Sequence, residues 1–311
     1  MTTHSEIVSR LQELKAQRRA VILAHNYQLG EIQDIADYCG DSLELSMIAA
    51  QSDADVIVFC GVSFMAETAA ILSPRKIVLS PVRNAGCRMA DLCDAEDLRK
   101  LKAQHPNAEV VCYVNSSAEV KAECTLCVTS ANAFGLVRNL PADREIIFVP
   151  DRNLGANIIH ATGRKMILWD GCCPVHDRMT PEMVAARRAE FPDAQLIIHP
   201  EARPEIAALA DKVLSTGGMC HYVKTTAAKQ IIVATEIGLI HRLRKENPNV
   251  QYIPLSEQLI CPDMKMILLP DVLAALERMQ YRVTVPEPIR VKAEAPIRRM
   301  LDESERPGVV R

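Results

Sequence analysis

Short apolar runs alternate with helix-like stretches along almost the whole chain. Ala20–Ala24, Asp55–Phe59 and Lys76–Ser80 are rich in Val, Ile and Leu and too short for helices, which predicts strands. Between them the pattern predicts a charged amphipathic helix over Glu6–Arg18, a helix from Ile32 to Ala50 broken near Cys39-Gly40, and a helix over Phe64–Leu72. The alternation then returns twice. Ala108–Cys112, Glu145–Val149 and Lys165–Trp169 predict a second set of strands, and Gln195–Ile198, Gln230–Ala234 and Val250–Ile253 a third. Pro106, Pro192 and Pro248 lie just before strands, where the preceding helix must stop. The pattern predicts an α/β protein with mainly parallel sheets covered by helices.

The polar residues at the strand ends sharpen this into a repeat. The first strand of each set runs into His25, Tyr113 or His199, at spacings of 88 and 86 residues. Hydroxyl residues at predicted helix starts, Ser42, Ser130 and Thr216, keep the same spacings. Cys87, Cys173 and Cys261 follow at 86 and 88. Three landmarks in one order at one period indicate duplicated units, here three homologous αβα sandwich domains. The expected boundaries are residues 1–95 with the N-terminal helix, 96–182, and 183–311 with a C-terminal helix and tail. That helix is expected over Arg290–Asp302. Ligands of open parallel sheets bind beyond the carboxyl ends of the strands, where all three landmarks fall. Inward-facing edges would bring nine such positions to one pseudo-threefold axis.

Composition narrows the field. At 311 residues, 49% hydrophobic and with a net charge of −3, the chain can build real cores and carries no basic nucleic-acid footprint. It has no secretory signal and no apolar run of the ~20 residues that span a membrane, so a cytoplasmic location is expected. Eleven cysteines in that reducing setting point to metal binding, reactivity or burial instead of a disulfide framework.

Three thiolates from three repeats suit a metal centre that keeps one coordination position open, and zinc and iron–sulfur clusters both accept thiolate. Cys172 adjoins Cys173, and chain neighbours do not easily point to one centre, so one of the two is a bystander. Cys124-Thr-Leu-Cys127 has no second CxxC to complete a zinc site and sits where a helix leads into a short strand. Cys39, Cys60, Cys93, Cys112 and Cys220 fall within apolar patterning and are expected to be buried. His25 with Tyr27, and His199 with Glu201, are pairs two residues apart, able to face one ligand as acid and base. Ser215-Thr216-Gly217-Gly218, with weaker copies at Asp41-Ser42 and Thr129-Ser130, offers free N–H groups and a helix dipole to an anion. No GxxxxGK[ST] or GxGxxG occurs, so nucleotide binding has no motif behind it.

These residues resemble the quinolinate synthase family, the A-protein of de novo NAD biosynthesis, over nearly the whole chain. The resemblance rests on Ala24-His-Asn-Tyr-Gln28, Gly86-Cys-Arg-Met-Ala90, Tyr113-Val-Asn-Ser-Ser117, Thr129-Ser-Ala-Asn132 and Pro150-Asp-Arg-Asn-Leu-Gly155. It continues through Trp169–His176, His199-Pro-Glu201, Ser215-Thr-Gly-Gly-Met219 and Cys261-Pro-Asp-Met-Lys265. It implies three domains in a pseudo-threefold arrangement around a central [4Fe–4S] cluster. It also implies a transferase that condenses iminoaspartate with dihydroxyacetone phosphate to quinolinate, with functional coupling to L-aspartate oxidase. Carried over by position, Cys87, Cys173 and Cys261 would hold the cluster. Substrate contacts would fall on His25, Ser42, Tyr113, Asn115, Ser130, His199, Glu201 and Thr216. Tyr27 and Glu201, near His25, would carry protons. Some members bear C-x-x-C-x-x-C at the last ligand, but here Pro254–Ile260 precedes Cys261 and the extra dithiol is absent. A zinc hydrolase using the same thiolates, and a non-catalytic iron–sulfur sensor, are the competing classes. Radical chemistry on S-adenosylmethionine is disfavoured by the lack of CxxxCxxC.

Overall fold

The computed structural model describes residues 3–310. Its strands form three four-stranded sheets, one per repeat. The first holds β1 (Ala20–His25), β2 (Tyr38–Gly40), β3 (Val56–Cys60) and β4 (Ile77–Leu79). The second holds β5 (Glu109–Tyr113), β6 (Leu126–Val128), β7 (Ile146–Val149) and β8 (Ile167–Leu168). The third holds β9 (Gln195–Ile198), β10 (Lys212–Val213), β11 (Gln230–Ala234) and β12 (Gln251–Pro254). Every neighbouring pair is parallel. In each sheet the order is second, first, third, fourth strand. The lateral order of the strands therefore reverses between the first and third strands, and the switch point that opens a crevice at the carboxyl edge occurs three times over.

The central strands are buried along nearly their whole length, as strands covered on both faces must be, and this gives them their continuous apolar runs. One hydrophobic core runs through all three repeats. A second fills the face of the first sheet that lies under the N-terminal helix, and a third fills one face of the third sheet.

Edge strands are where sequence and structure part. The expected broken helix over Ile32–Ala50 is a helix Gly30–Ile35, the strand β2, and a second helix Ser42–Gln51. β2 is three residues long with Tyr38 half exposed, so apolar periodicity cannot register it. β10, two residues and largely exposed, goes undetected for the same reason. Cys39, on β2, is accordingly half-buried, unlike Cys60, Cys93, Cys112 and Cys220.

The C-terminal segment ties the repeats together. Helix Leu269–Arg278 packs on the N-terminal helix His4–Arg18. Tyr281 then exchanges backbone hydrogen bonds with Ser80, and Val283 N donates to Val78 O, at the edge of the first sheet. The last helix, Glu287–Ser304, is longer than expected at both ends, with Pro288 tolerated in its first turn. It lies against β6 and the helices Ala118–Lys121 and Ser63–Leu72, spanning the first and second repeats. Arg311, the end of the tail, lies outside the described residues.

Candidate active site at three sheet edges

The carboxyl edges of the three sheets face one cavity. It is lined by His25, Tyr113 and His199, by Tyr27, Asn115 and Glu201 two residues further on, and by the hydroxyl residues Ser42, Ser130 and Thr216. Cys87, Cys173 and Cys261 line it as well. These twelve positions are thus brought to one place.

The repeats touch in a ring. Asn26 of the first donates to Thr216 Oγ1 of the third (3.1 Å), and His199 Nε2 of the third lies 3.3 Å from Ser130 Oγ of the second. Ala118 N of the second donates to Glu67 Oε2 of the first (2.9 Å), closing the circle.

His25 and His199 have the same local geometry. In each, Nδ1 accepts the backbone N–H two residues on, from Tyr27 (3.2 Å) and Glu201 (3.4 Å). An accepting Nδ1 puts the proton of a neutral ring on Nε2. Burial pushes both imidazoles down to about 3, so at neutral pH each offers a single Nε2–H donor. Asn115 Oδ1 is buried without a partner, an acceptor reserved for a donor not supplied by the chain.

A chain of hydrogen bonds joins the two residues expected to carry protons. The Tyr27 hydroxyl lies 2.5 Å from Thr235 Oγ1, which lies 2.9 Å from His176 Nε2. His176 Nδ1 is 2.7 Å from Glu201 Oε2, and Tyr113 donates its hydroxyl to Glu201 Oε1 at 2.5 Å. His176 also stacks on His199, with ring centroids 4.7 Å apart. Burial opposes ionisation of Glu201, but the neighbouring imidazoles of His176 and His199 and the bonds from His176 and Tyr113 outweigh it, and its carboxyl is held well below the usual range. Burial and the Glu201 charge push the Tyr27 and Tyr113 hydroxyls up, so both stay protonated. Glu201 therefore stands in the cavity as an ionised acceptor beside two phenolic donors. Sequence reasoning passed over His176 and Thr235. His176 stands three residues after Cys173, and Thr235 directly follows β11. The strand-end rule, applied to third strands as well as first ones, would have reached the latter.

Each of the three cysteines precedes a short helical turn: Ala90–Leu92, Pro174–Asp177 and Asp263–Lys265. The backbone N–H three residues on, from Ala90, His176 or Met264, donates to the sulfur. Burial pushes all three thiols up, Cys87 to about 12, and these N–H groups pull the other way. None is in a disulfide. Cys172 is half-buried and lies off the cavity, beside Arg152 and Asp177. Cys124 donates to Val120 O, and Cys127 pairs in register with Cys112, both also off the cavity. The Cys173 sulfur, a His176 nitrogen and a Glu201 oxygen lie within 4.8 Å of one another, a group that could hold a metal ion.

The helix starts differ from expectation in one respect. Ser215 caps Gly218 N (3.0 Å), and Asp41 caps Leu43 N and Glu44 N (2.9 and 3.0 Å). Asp41 also bonds the backbone of Gly217. The chain's own carboxylate thus stands between two helix N-termini where free N–H groups were expected, and the hydroxyls of Ser42 and Thr216 remain facing the cavity.

Three parallel αβα repeats that converge on a buried site of thiols, imidazoles and a carboxylate define a three-repeat enzyme with a metal-capable centre. The family described as "Quinolinate synthetase A protein" matches residues 9–302. The chain is 57% identical over 299 residues to "Quinolinate synthase" of Dehalococcoides mccartyi (strain CBDB1), covering 96% of this chain and 99% of that protein. It is 52% identical over 297 residues to "Quinolinate synthase 1" of Methanosarcina acetivorans, covering 96% and 97%. The figure for "Quinolinate synthase" of Geobacter metallireducens is 52% over 295 residues, covering 95% and 97%. The chain belongs to the quinolinate synthase A family. Among the described residues no helix is long and apolar enough to cross a membrane.

Proposed function

We propose that the chain condenses iminoaspartate, supplied by L-aspartate oxidase in the cytoplasm, with dihydroxyacetone phosphate, giving quinolinate, phosphate and two waters. The observation that carries this reading is the convergence of three repeat-related sets of residues on one buried cavity. The units acting together are residues 1–95, 96–182 and 183–311. The substrates bring carboxylates and a phosphate. Ser42, Ser130 and Thr216, with the Nε2–H groups of His25 and His199, supply neutral donors for them without burying new positive charge. Tyr113 and Asn115 orient the carbonyl and imine ends.

Cys87, Cys173 and Cys261 would hold a [4Fe–4S] cluster. The donor set fits it: three unpaired thiols from three repeats, each receiving a backbone N–H of the kind that stabilises cluster sulfurs. When bound, such a cluster supplies one iron without a protein ligand, a Lewis acid for departing oxygen. Glu201 is the ionised acceptor for the proton removed from carbon, and Tyr27 the protonated donor to a leaving hydroxyl. Thr235 and His176 join them, so a proton taken at Glu201 can return to Tyr27 inside the site. Burial keeps bulk water from the imine.

One observation favours a second reading. Cys173, His176 and Glu201 are close enough for a single zinc ion, as in a hydrolase. His176 and Glu201 are, however, already bonded to each other and to Thr235 and Tyr113. Anaerobic reconstitution with iron and sulfide, followed by a quinolinate assay, tests the first reading. Quinolinate after reconstitution with iron is expected, and a protein that binds one zinc per chain and forms no quinolinate with iron would replace this reading with the second.

A further inference from the structure

Lys265 and Glu236 take no part in the chemistry above, yet they form a partly buried ion pair beside it, with Glu236 fully buried. Lys265 Nζ lies 2.8 Å from Glu236 Oε1 and 3.1 Å from Oε2. The same ammonium donates to the backbone carbonyl of Tyr27. Glu236 in turn accepts Cys261 N (3.2 Å) on Oε1 and Gly238 N (2.7 Å) on Oε2. One carboxylate and one ammonium therefore touch the loop that carries Tyr27 in the first repeat and the loop that carries Cys261 in the third.

Gly238 sits between the three groups. A Cβ there would lie 2.6 Å from Lys265 Nζ, 2.7 Å from Tyr27 O and 2.8 Å from Glu236 Oε2. Its φ is −58°, a value any residue adopts, so glycine serves close approach here and not backbone freedom. Gln33 adds a second tie, donating Nε2 to Asn26 O, Gln28 O and Gly238 O at 3.2, 2.9 and 2.9 Å. Glu236 is the second residue after β11. Its counterpart after β7 is Asp151, which spends one oxygen on its own helix start, Asn153 N and Leu154 N. Among the described residues only the third repeat carries an ion pair at this position, and its lysine then reaches the first repeat at the Tyr27 carbonyl.

We propose that Lys265 is a positioning residue that, through Glu236, locks the Tyr27 loop and the Cys261 loop into one unit, so that one ion pair sets the placement of the proton donor and of the third thiol. The catalytic consequence rests on the function proposed above, but the lock itself is a property of the metal-free chain.

The test is hydrogen exchange on the metal-free full chain, for the parent, Lys265→Met and the double variant Glu236→Gln/Lys265→Met. Removing one partner of a buried pair strands the other charge. The double variant leaves none unpaired and is the one to read if Lys265→Met loses its fold. Amides of residues 26–28 and of Cys261 should exchange together, at least about tenfold faster than in the parent, with β5 unchanged. Unchanged exchange, or faster exchange in only one of the two loops, would overturn the lock.

In the reconstituted enzyme, Lys265→Met should lower kcat for quinolinate about tenfold or more with KM within about twofold, because a small misplacement of a reacting group costs turnover more than binding. Lys265→Arg should recover most of it. A parent that makes no quinolinate would sink the functional reading and leave the exchange result to decide the lock.

Discussion

Tyr113 of the second repeat donates its hydroxyl to Glu201 of the third at 2.5 Å. With His176 on the other oxygen, this fixes the carboxylate from two sides. Tyr113→Phe removes one donor and no volume to speak of. Loss of a charge-assisted bond of about 1.5–3 kcal/mol predicts a fall in kcat/KM for quinolinate of roughly 10- to 100-fold. Steady-state rates on reconstituted enzyme check it, and a rate within twofold of the parent would remove Tyr113 from the account.

Thr235 is the link between Tyr27 and His176. Thr235→Val keeps the shape and deletes the hydroxyl. The expected result is a kcat lower by roughly tenfold, equivalent to about 1.4 kcal/mol, with iron content unchanged. An unaltered kcat would mean that protons do not pass along this chain.

The neighbours at 172 and 173 should behave differently. Cys173 lines the cavity and receives the His176 N–H, whereas Cys172 lies outside it. Cys172→Ala should bind as much iron per chain as the parent after anaerobic reconstitution, and Cys173→Ser should not form the cluster. An intact cluster in Cys173→Ser would refute the ligand assignment.

Asp41 gives a pH prediction. Burial first, then the Glu44 charge, raises its carboxyl to about 6 from an ordinary 3.8. A raised acid stabilises the fold while protonated: the contribution is complete below pH 3.8 and is lost as pH climbs through about 6. Asp41→Asn cannot ionise and still caps a helix. Its stability relative to the parent should improve between pH 4 and 7, by about 3 kcal/mol at most. Urea midpoints of the metal-free chain measure this, and a difference that stays constant over that range contradicts it.

The strands that build the site were legible because each central strand buries both faces and so announces itself as an apolar run. Their ends carried the repeat, and the switch-point rule turned His25, Tyr113 and His199 into a prediction of place. β2 and β10 were not legible, being too short and too exposed to leave a pattern. Thr235 has Pro150 and Gly61 as its counterparts after β7 and β3, so no repeat signal marked it. His176 reaches Glu201 only because two repeats pack edge to edge, and chain spacing does not encode that packing. The docking of the helices Leu269–Arg278 and Glu287–Ser304 on earlier repeats was hidden for the same reason: periodicity predicts a helix, not its neighbour.

The central claim is that three repeat-related thiols hold one iron–sulfur centre in a cavity built for two anionic substrates. Metal content and turnover, read on the same anaerobic sample, test it most directly. The account predicts a brown protein with about four irons per chain, as one [4Fe–4S] centre requires, that forms quinolinate from iminoaspartate and dihydroxyacetone phosphate. A colourless protein that binds one zinc and forms no quinolinate would contradict it.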